Sequence, residues 1–100
     1  MVKYVRYLYI AIQLNETSFE DIMREYKKLF GELLYYKSSL KFFKTGKLDI
    51  GIIRINKNYV DKLVYTIKTM EHKTNSKIGP IYIGNTLKSV KSKLNEIYFI

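Results

Sequence analysis

The first strand-like segment, from Tyr4 to Leu14, limits the possible folds more than any other part of the sequence. Its side chains alternate between two sets that face opposite sides of a strand, and both sets are largely apolar. One set is Leu8, Ile10, Ile12 and Leu14, and the other is Val5, Tyr7, Tyr9, Ala11 and Gln13. Because both faces are apolar, we predict a central strand of a sheet rather than an edge strand.

A helix and a hairpin are predicted next. Ser18 and Asp21 stand at the spacing of a capping box, which opens a helix. The apolar residues that follow recur every three or four positions, and this stripe consists of Phe19, Ile22, Met23, Tyr26, Phe30 and Leu33. Two strand-like runs, Leu40–Lys44 and Asp49–Ile55, flank the turn Thr45-Gly46-Lys47, where Gly46 can adopt a positive φ.

The rest of the chain is predicted to hold two more helices and one more strand. Asn56 or Asn58 caps the second helix, whose buried stripe is Tyr59 or Val60, Leu63, Val64, Ile67 and Met70. The polar stretch His72–Lys77 is interpreted as a linker, and Pro80 precedes the short strand Ile81–Ile83. Thr86 is the predicted cap of a third helix, whose apolar side is Leu87, Val90, Leu94 and Ile97.

The predicted order of elements is therefore β-α-β-β-α-β-α. This is the split βαβ (ferredoxin-like, RRM-like) arrangement, in which a four-stranded antiparallel sheet carries two helices on one face, with a C-terminal helix added. We expect this α+β fold to form one domain over residues 1–100, a length that suffices for one hydrophobic core.

The charge of the chain points to an anionic partner. Eighteen lysines and arginines stand against nine acidic residues, which leaves a formal charge of +9 and a pI near 9.7. Residues 1–36 are neutral in sum, so residues 37–100 carry the whole excess. Such asymmetry favours binding to a polyanion such as nucleic acid. The alternative interpretation is a solvated, lysine-rich surface.

The sequence holds no constellation that would make the chain an enzyme by itself. It has no cysteine and one histidine, His72, so neither thiolate chemistry nor a multi-histidine metal site is expected. No Gly-rich phosphate loop or nucleophile elbow is present, and the acids between Glu32 and Glu71, which are Asp49 and Asp61, form no pair at the spacing that would place two carboxylates on one helix face. We predict no catalytic residue, no metal ligand and no cofactor bound by the protein. No apolar run is long enough to cross a bilayer, and we expect no membrane contact and a cytoplasmic location.

Tyr7 and Tyr9 lie on the side of the first strand that the first two helices do not cover. Such tyrosines can stack on bases, as they do in RNA-binding sheets. The glycine and aromatic run that those modules carry on their third strand is missing, since this strand is rich in isoleucine. We therefore interpret Tyr7 and Tyr9 as a protein interface, or as a surface covered by the third helix.

Three passages, in this order, resemble one known family. They are Arg6-Tyr7-Leu8-Tyr9-Ile10, then Gly51-Ile52-Ile53-Arg54 with Tyr59 and Val60, and then Gly84-Asn85-Thr86-Leu87-Lys88. Together they resemble ribonuclease P protein component 2, the small protein subunit shared by archaeal and eukaryotic ribonuclease P. Asn85 stands where that family often has glycine.

The resemblance implies a subunit of a ribonucleoprotein that removes the 5′ leader from precursor tRNA. Its RNA subunit would hold the active site and the magnesium ions. The implied partners are ribonuclease P RNA, ribonuclease P protein component 3, precursor tRNA through the complex, and a second copy of the chain. Two alternatives stay open, namely another split βαβ RNA-binding module of ribosomal or RNA-processing type, and a module that binds protein or DNA.

The candidate RNA contacts form three groups. The first is the start of the third helix, with Thr86, Lys88, Lys91 and Lys93, where backbone N–H groups and ammonium groups can meet one stretch of phosphates. The second is Arg54 in the third strand. The third is the set of lysines on the hairpin: Lys41, Lys44 and Lys47.

Overall fold

The computed structural model describes residues 6–14, 18–46 and 49–98. The strands are β1 (Tyr7–Gln13), β2 (Lys41–Lys44), β3 (Ile50–Asn56) and β4 (Tyr82–Gly84), and the helices are α1 (Phe19–Ser38), α2 (Val60–Thr74) and α3 (Leu87–Tyr98). The strands form one antiparallel sheet in the order β2-β3-β1-β4, so β1 is central as predicted. This arrangement confirms the predicted split βαβ fold with an added C-terminal helix.

Helices cover both faces of the sheet. On one face, α1 and α2 pack on β1 and β3, and the buried side chains there are Ile10, Ile12, Ile22, Tyr26, Ile53, Ile55, Leu63, Ile67, Met70 and Ile78. On the opposite face, α3 contributes Val90 and Leu94 to a second cluster with Ala11, Ile50 and Ile52. The two apolar sides of β1 therefore belong to two cores, which explains why both sides of the predicted strand are apolar.

The predicted caps of α1 and α3 are present, whereas the predicted cap of α2 is wrong, because α2 begins after Tyr59, which makes no side-chain cap hydrogen bond. Ser18 and Asp21 form both hydrogen bonds of a capping box at the start of α1. The Asn56 side chain accepts from the N–H of Asn58 and caps a single 3₁₀ turn that leads into α2. Thr86 Oγ1 accepts from the N–H of Ser89, 3.1 Å away, at the start of α3. These are local contacts between neighbouring residues, which is why the sequence shows them.

The predicted stripe of α1 is wrong at its last position. Gly31 adopts φ 87° and ψ 165°, so the helix has a kink there. The residues after the kink are rotated relative to those before it, and Leu33 is 70% exposed while Leu34 packs against the core. A stripe extrapolated at a constant helical period cannot account for this break.

Two further predictions are corrected near the ends of α2 and α3. The stretch His72–Lys77 is not a linker throughout, because α2 continues to Thr74 and ends at Asn75, which has a left-handed conformation. On α3, Ile97 is 44% exposed, although it was predicted on the apolar side of the helix. The buried contacts of α3 with the sheet come from its earlier turns, at Val90 and Leu94.

The segment between α2 and β4 is held by the carboxylate of Glu71. One of its oxygens accepts from the N–H groups of Ile78 and Gly79, at 2.6 and 2.9 Å, and Lys68 Nζ lies 3.2 Å from the other. Burial acts to raise the pKa of the Glu71 carboxyl, but these hydrogen bonds and Lys68 outweigh it, so the pKa is lowered overall. A lowered pKa means that folding favours the ionised carboxylate of Glu71. The carboxylate therefore stabilises the fold above the ordinary glutamate pKa, and this stabilisation is lost as the pH falls through the pKa of Glu71 in the folded protein.

We expect Glu71→Gln to reduce the free energy of unfolding at pH 7 by about 1–2 kcal/mol, because one charged acceptor of two buried N–H groups is removed. The difference from the unsubstituted protein should shrink as the pH is lowered through the folded pKa. Urea unfolding at pH 7 and at acidic pH measures both effects. Glu20→Gln, an exposed position on α1, makes the same charge change as a control. Equal stability of the Glu71 and Glu20 variants at pH 7 would contradict this role.

Candidate nucleic-acid interface

Strand pairing brings three of the predicted functional residues into one row across the sheet. Arg54 on β3 is the register partner of Lys41 on β2 and of Tyr9 on β1, and Tyr9 in turn pairs with Gly84 on β4. Register partners project from the same face of a sheet. Lys41, Arg54 and Tyr9 therefore lie side by side on the face that α3 partly covers.

Helix α3 covers the part of this face that lies between the row and the hairpin turn at Thr45. A Cβ at Gly84 would lie 2.8 Å from Val90 Cγ2, so α3 starts close against β4. Farther along, Lys91, Leu94 and Asn95 line a small cleft with Thr45, which follows the end of β2. The helix thus runs diagonally towards the far end of the hairpin. The helix does not fully cover one corner of this sheet face. We call it the Arg54 corner and define it by five residues: Tyr7, Tyr9, Lys41, Phe43 and Arg54.

Arg54 has few hydrogen bonds for a partly buried guanidinium group. Its Cζ lies 4.3 Å from the centre of the Tyr7 ring, a cation–π contact. Its Nη2 donates one long hydrogen bond of 3.5 Å to the carbonyl of Ser39. Its Nε is buried and has no hydrogen-bond partner among the described residues. A buried donor without an acceptor is unfavourable for folding.

The other aromatic side chains of the Arg54 corner are partly covered. The rings of Tyr9 and Phe43 lie 6.1 Å apart, centre to centre, and both pack against the cluster beneath α3. Lys41 Nζ lies 5.3 Å from the centre of the Phe43 ring. Tyr7 and Tyr9 are half-buried, whereas Tyr36 on α1 and Tyr65 on α2 are 74% and 59% exposed.

The predicted basic residues of α3 are exposed, but they are not equivalent. Lys93 Nζ lies 3.4 Å from Glu96 Oε2, whereas Lys88 and Lys91 have no ion-pair partner among the described residues. Thr86 is exposed and uses its hydroxyl oxygen as the helix cap. Lys88 and Lys91 are consequently the cations of α3 that are available to bind an external anion.

The lysines of the hairpin do not form one group. Lys41 and Phe43 alternate with Phe42 and Lys44 along β2, so Lys41 and Lys44 project from opposite faces of the sheet. Lys44 lines an apolar cleft with Phe19 and Phe42, away from the Arg54 corner. Lys47 lies outside the described residues.

A second cleft, missed by the sequence reasoning, adjoins the Arg54 corner. Its volume is about 470 Å³, and its lining residues are Arg6, Tyr7, Leu8, Lys57 and Asn85. The N–H of Lys57 donates to the carbonyl of Arg6 at 2.8 Å, which places two cationic residues side by side at the ends of β1 and β3. The only signal in the sequence is that each of these strands has a basic residue next to its end.

Acidic side chains are concentrated on the helices of the opposite face. Seven basic and six acidic residues nearly balance on α1 and α2. The acids there are Glu20, Asp21, Glu25, Glu32, Asp61 and Glu71. Among the described residues that line the Arg54 corner or the cleft at Arg6 and Lys57, none is acidic. The net charge of the chain is thus unevenly distributed, and the surface around β1, β3 and α3 carries the excess of cations.

Within residues 6–14, 18–46 and 49–98, no group of three or more histidine or acidic side chains is arranged to hold a metal ion. In the same part of the chain, no helix combines the length and the apolar character needed to span a membrane.

Comparisons of the chain with protein-family profiles, with curated proteins and with solved structures returned no match.

Proposed function

We propose that this protein is an RNA-binding subunit without catalytic residues of its own, which acts in a cytoplasmic ribonucleoprotein that removes the 5′ leader from precursor tRNA. The observation that carries the RNA-binding part is that Lys41 and Arg54 are register partners on the sheet face on which α3 carries Lys88 and Lys91. The ribonucleoprotein itself is suggested by the resemblance to ribonuclease P protein component 2. The split βαβ fold is compatible with both.

In this role the protein would neutralise phosphates of the catalytic RNA. Ammonium groups of Lys88 and Lys91 and the guanidinium of Arg54 replace counterions that the folded RNA otherwise binds. A compact RNA then needs less magnesium for its folding. The magnesium ions of the reaction would be held by RNA, and no protein side chain is assigned to them.

The proposed protein partner is ribonuclease P protein component 3, and a second copy of this chain is a further candidate. Tyr7 and Tyr9 are the contact residues predicted from the sequence, and Tyr9 remains the candidate for the protein partner. Leu33 and Tyr36 on α1 are a second possible surface for a protein partner, since they are 70% and 74% exposed and large apolar side chains of this kind are frequent in interfaces. Comparing Tyr9→Asp with Leu33→Asp in a binding assay with component 3 distinguishes the two surfaces.

We expect the purified protein to cleave no RNA at any magnesium concentration, because its described residues hold no group of acidic or histidine side chains arranged for a catalytic metal ion. Added to the cognate ribonuclease P RNA with component 3, it should increase cleavage of precursor tRNA at limiting magnesium. The measurement is 5′ leader release in a magnesium titration, with and without the protein.

Cleavage by the protein alone that Asp49→Ala abolishes would contradict the absence of catalytic residues. The chain would instead be assigned to another type of split βαβ RNA-binding module if it binds RNA, if component 3 does not alter that binding, and if the chain does not change leader release. Equal affinity for duplex DNA and structured RNA would remove RNA as the specific partner.

A further inference from the structure

Tyr7 belongs to both of the cationic features at the end of the sheet. On one side its ring contacts the guanidinium of Arg54, and on the other it lines the cleft of Arg6, Lys57 and Asn85. An aromatic ring between two cationic surfaces combines the two contacts that single-stranded nucleic acids use, which are base stacking and phosphate neutralisation.

The cleft can hold an anionic group. Arg6 and Lys57 are exposed and have no ion-pair partner among the described residues, and the Asn85 side chain adds an amide. Its volume of about 470 Å³ lies within the range of about 300–1,000 Å³ that is usual for small-ligand sites. Two cations without an adjacent carboxylate favour a phosphate over a neutral or cationic ligand.

The Arg54 corner is suited to bind the base of a nucleotide whose phosphate lies in the cleft. Arg54 occupies one face of the Tyr7 ring, so a base would stack on the opposite face. The guanidinium holds the ring from one side and leaves the stacking to the other side of the ring. Lys41, its register partner, brings a second cation to the same corner.

We propose that Tyr7, held by Arg54, and the cleft of Arg6, Lys57 and Asn85 together bind one unpaired nucleotide of RNA, with its base on the face of the Tyr7 ring opposite to Arg54 and its phosphate between Arg6 and Lys57. The inference rests on the proposed function, because it names the part of the RNA that this surface takes. The nucleotide must be unpaired, since bases inside an A-form duplex are not available for stacking on a side chain. The cations at this surface, and the absence of acids lining it, favour RNA over a protein partner here.

The test compares a single-stranded RNA oligonucleotide with a fully paired duplex that contains the same strand, by fluorescence anisotropy at fixed salt. We expect tighter binding of the single strand. Tyr7→Leu should weaken single-strand binding about tenfold through the loss of one stacked base and leave duplex binding unchanged. Tyr7→Phe should bind like the unsubstituted protein, because the ring is kept. Tyr65→Leu, an exposed tyrosine on α2, is the matched control and should have no effect.

A second measurement on the unsubstituted protein keeps the inference testable if Tyr7→Leu fails to fold. RNA containing 4-thiouridine is photo-crosslinked to the protein, and the crosslinked peptide should contain Tyr7. Equal affinities for the two RNAs, unchanged binding by folded Tyr7→Leu, or crosslinks confined to α3 would overturn the nucleotide site while the protein still binds RNA. A Tyr7→Leu variant that loses component 3 but keeps single-strand affinity would assign the corner to a protein. Failure to bind either RNA would overturn the proposed function as well.

Discussion

Replacing Lys88, Lys91 and Lys93 by alanine is expected to weaken RNA binding about 25- to 60-fold at 0.1 M salt. Two phosphate contacts are lost, and each contributes about 0.7–0.9 to the dependence of log affinity on log salt concentration. In a plot of log affinity against log salt concentration, the slope should fall by about 1.4–1.8. Only two contacts are counted because Lys93 Nζ is already paired with Glu96 Oε2. The loss should be similar for RNAs of different sequence, since phosphate contacts carry no base identity.

The measurement is RNA affinity over a salt series, with the fold checked by circular dichroism. A variant with alanine at Lys27, Lys28 and Lys37 removes the same charge from exposed positions of α1, on the opposite face of the sheet. If charge alone matters, both triple variants lose the same slope. An unchanged slope in a folded α3 variant would contradict a phosphate contact there and would leave Arg54 and Lys41 as the candidate RNA contacts.

Local signals in the sequence are sufficient to predict the helices and strands and their order along the chain. The capping box of Ser18 and Asp21 and the cap at Thr86 depend on residues three positions apart, so they are visible without a structure. The alternation along β1 gives the two faces of that strand for the same reason. Since the split βαβ order follows from element types alone, the fold class could be predicted.

Burial at the ends of helices could not be predicted in the same way. The phase of the α1 stripe after Gly31 depends on a kink, which a periodic pattern does not contain. Ile97 has the correct spacing to follow Leu94, but Ile97 is 44% exposed, whereas Leu94 is buried in the core. Whether such a position is buried depends on how far the helix extends over the sheet, which is a property of tertiary packing.

The candidate site was predicted in parts but not as a site. Arg54, Lys41 and Tyr9 were each identified in the sequence, yet their common row depends on the register of two strand pairs. The cleft of Arg6, Lys57 and Asn85 needs three separate segments to meet. Alternation predicts which face a side chain takes, whereas the register decides which neighbours it has there.

Close packing at Gly51 leads to the largest expected effect on stability. A Cβ at this position would overlap Phe42 Cε1 and lie 2.7 Å from Phe42 Cζ and 3.1 Å from Leu14 Cδ1. The Phe42 ring is stacked on Phe19, with ring centres 4.5 Å apart and 22° between the planes, so its movement would disturb a second contact. The glycine therefore allows β2 and β3 to bring Phe42 against the core.

We expect Gly51→Ala to reduce the free energy of unfolding by about 1–3 kcal/mol, the usual range for overpacking, because the Phe42 ring must move away from Phe19 and towards the cleft that both rings line. For a domain of this size the melting temperature should fall by about 5–20 °C. Phe42→Leu in the same chain removes the ring atoms that the new methyl group meets, so the double variant should be more stable than the sum of the two single changes predicts. Thermal unfolding of the four proteins of this cycle gives the coupling, and strictly additive effects would show that the Phe42 ring is not what excludes a side chain at Gly51.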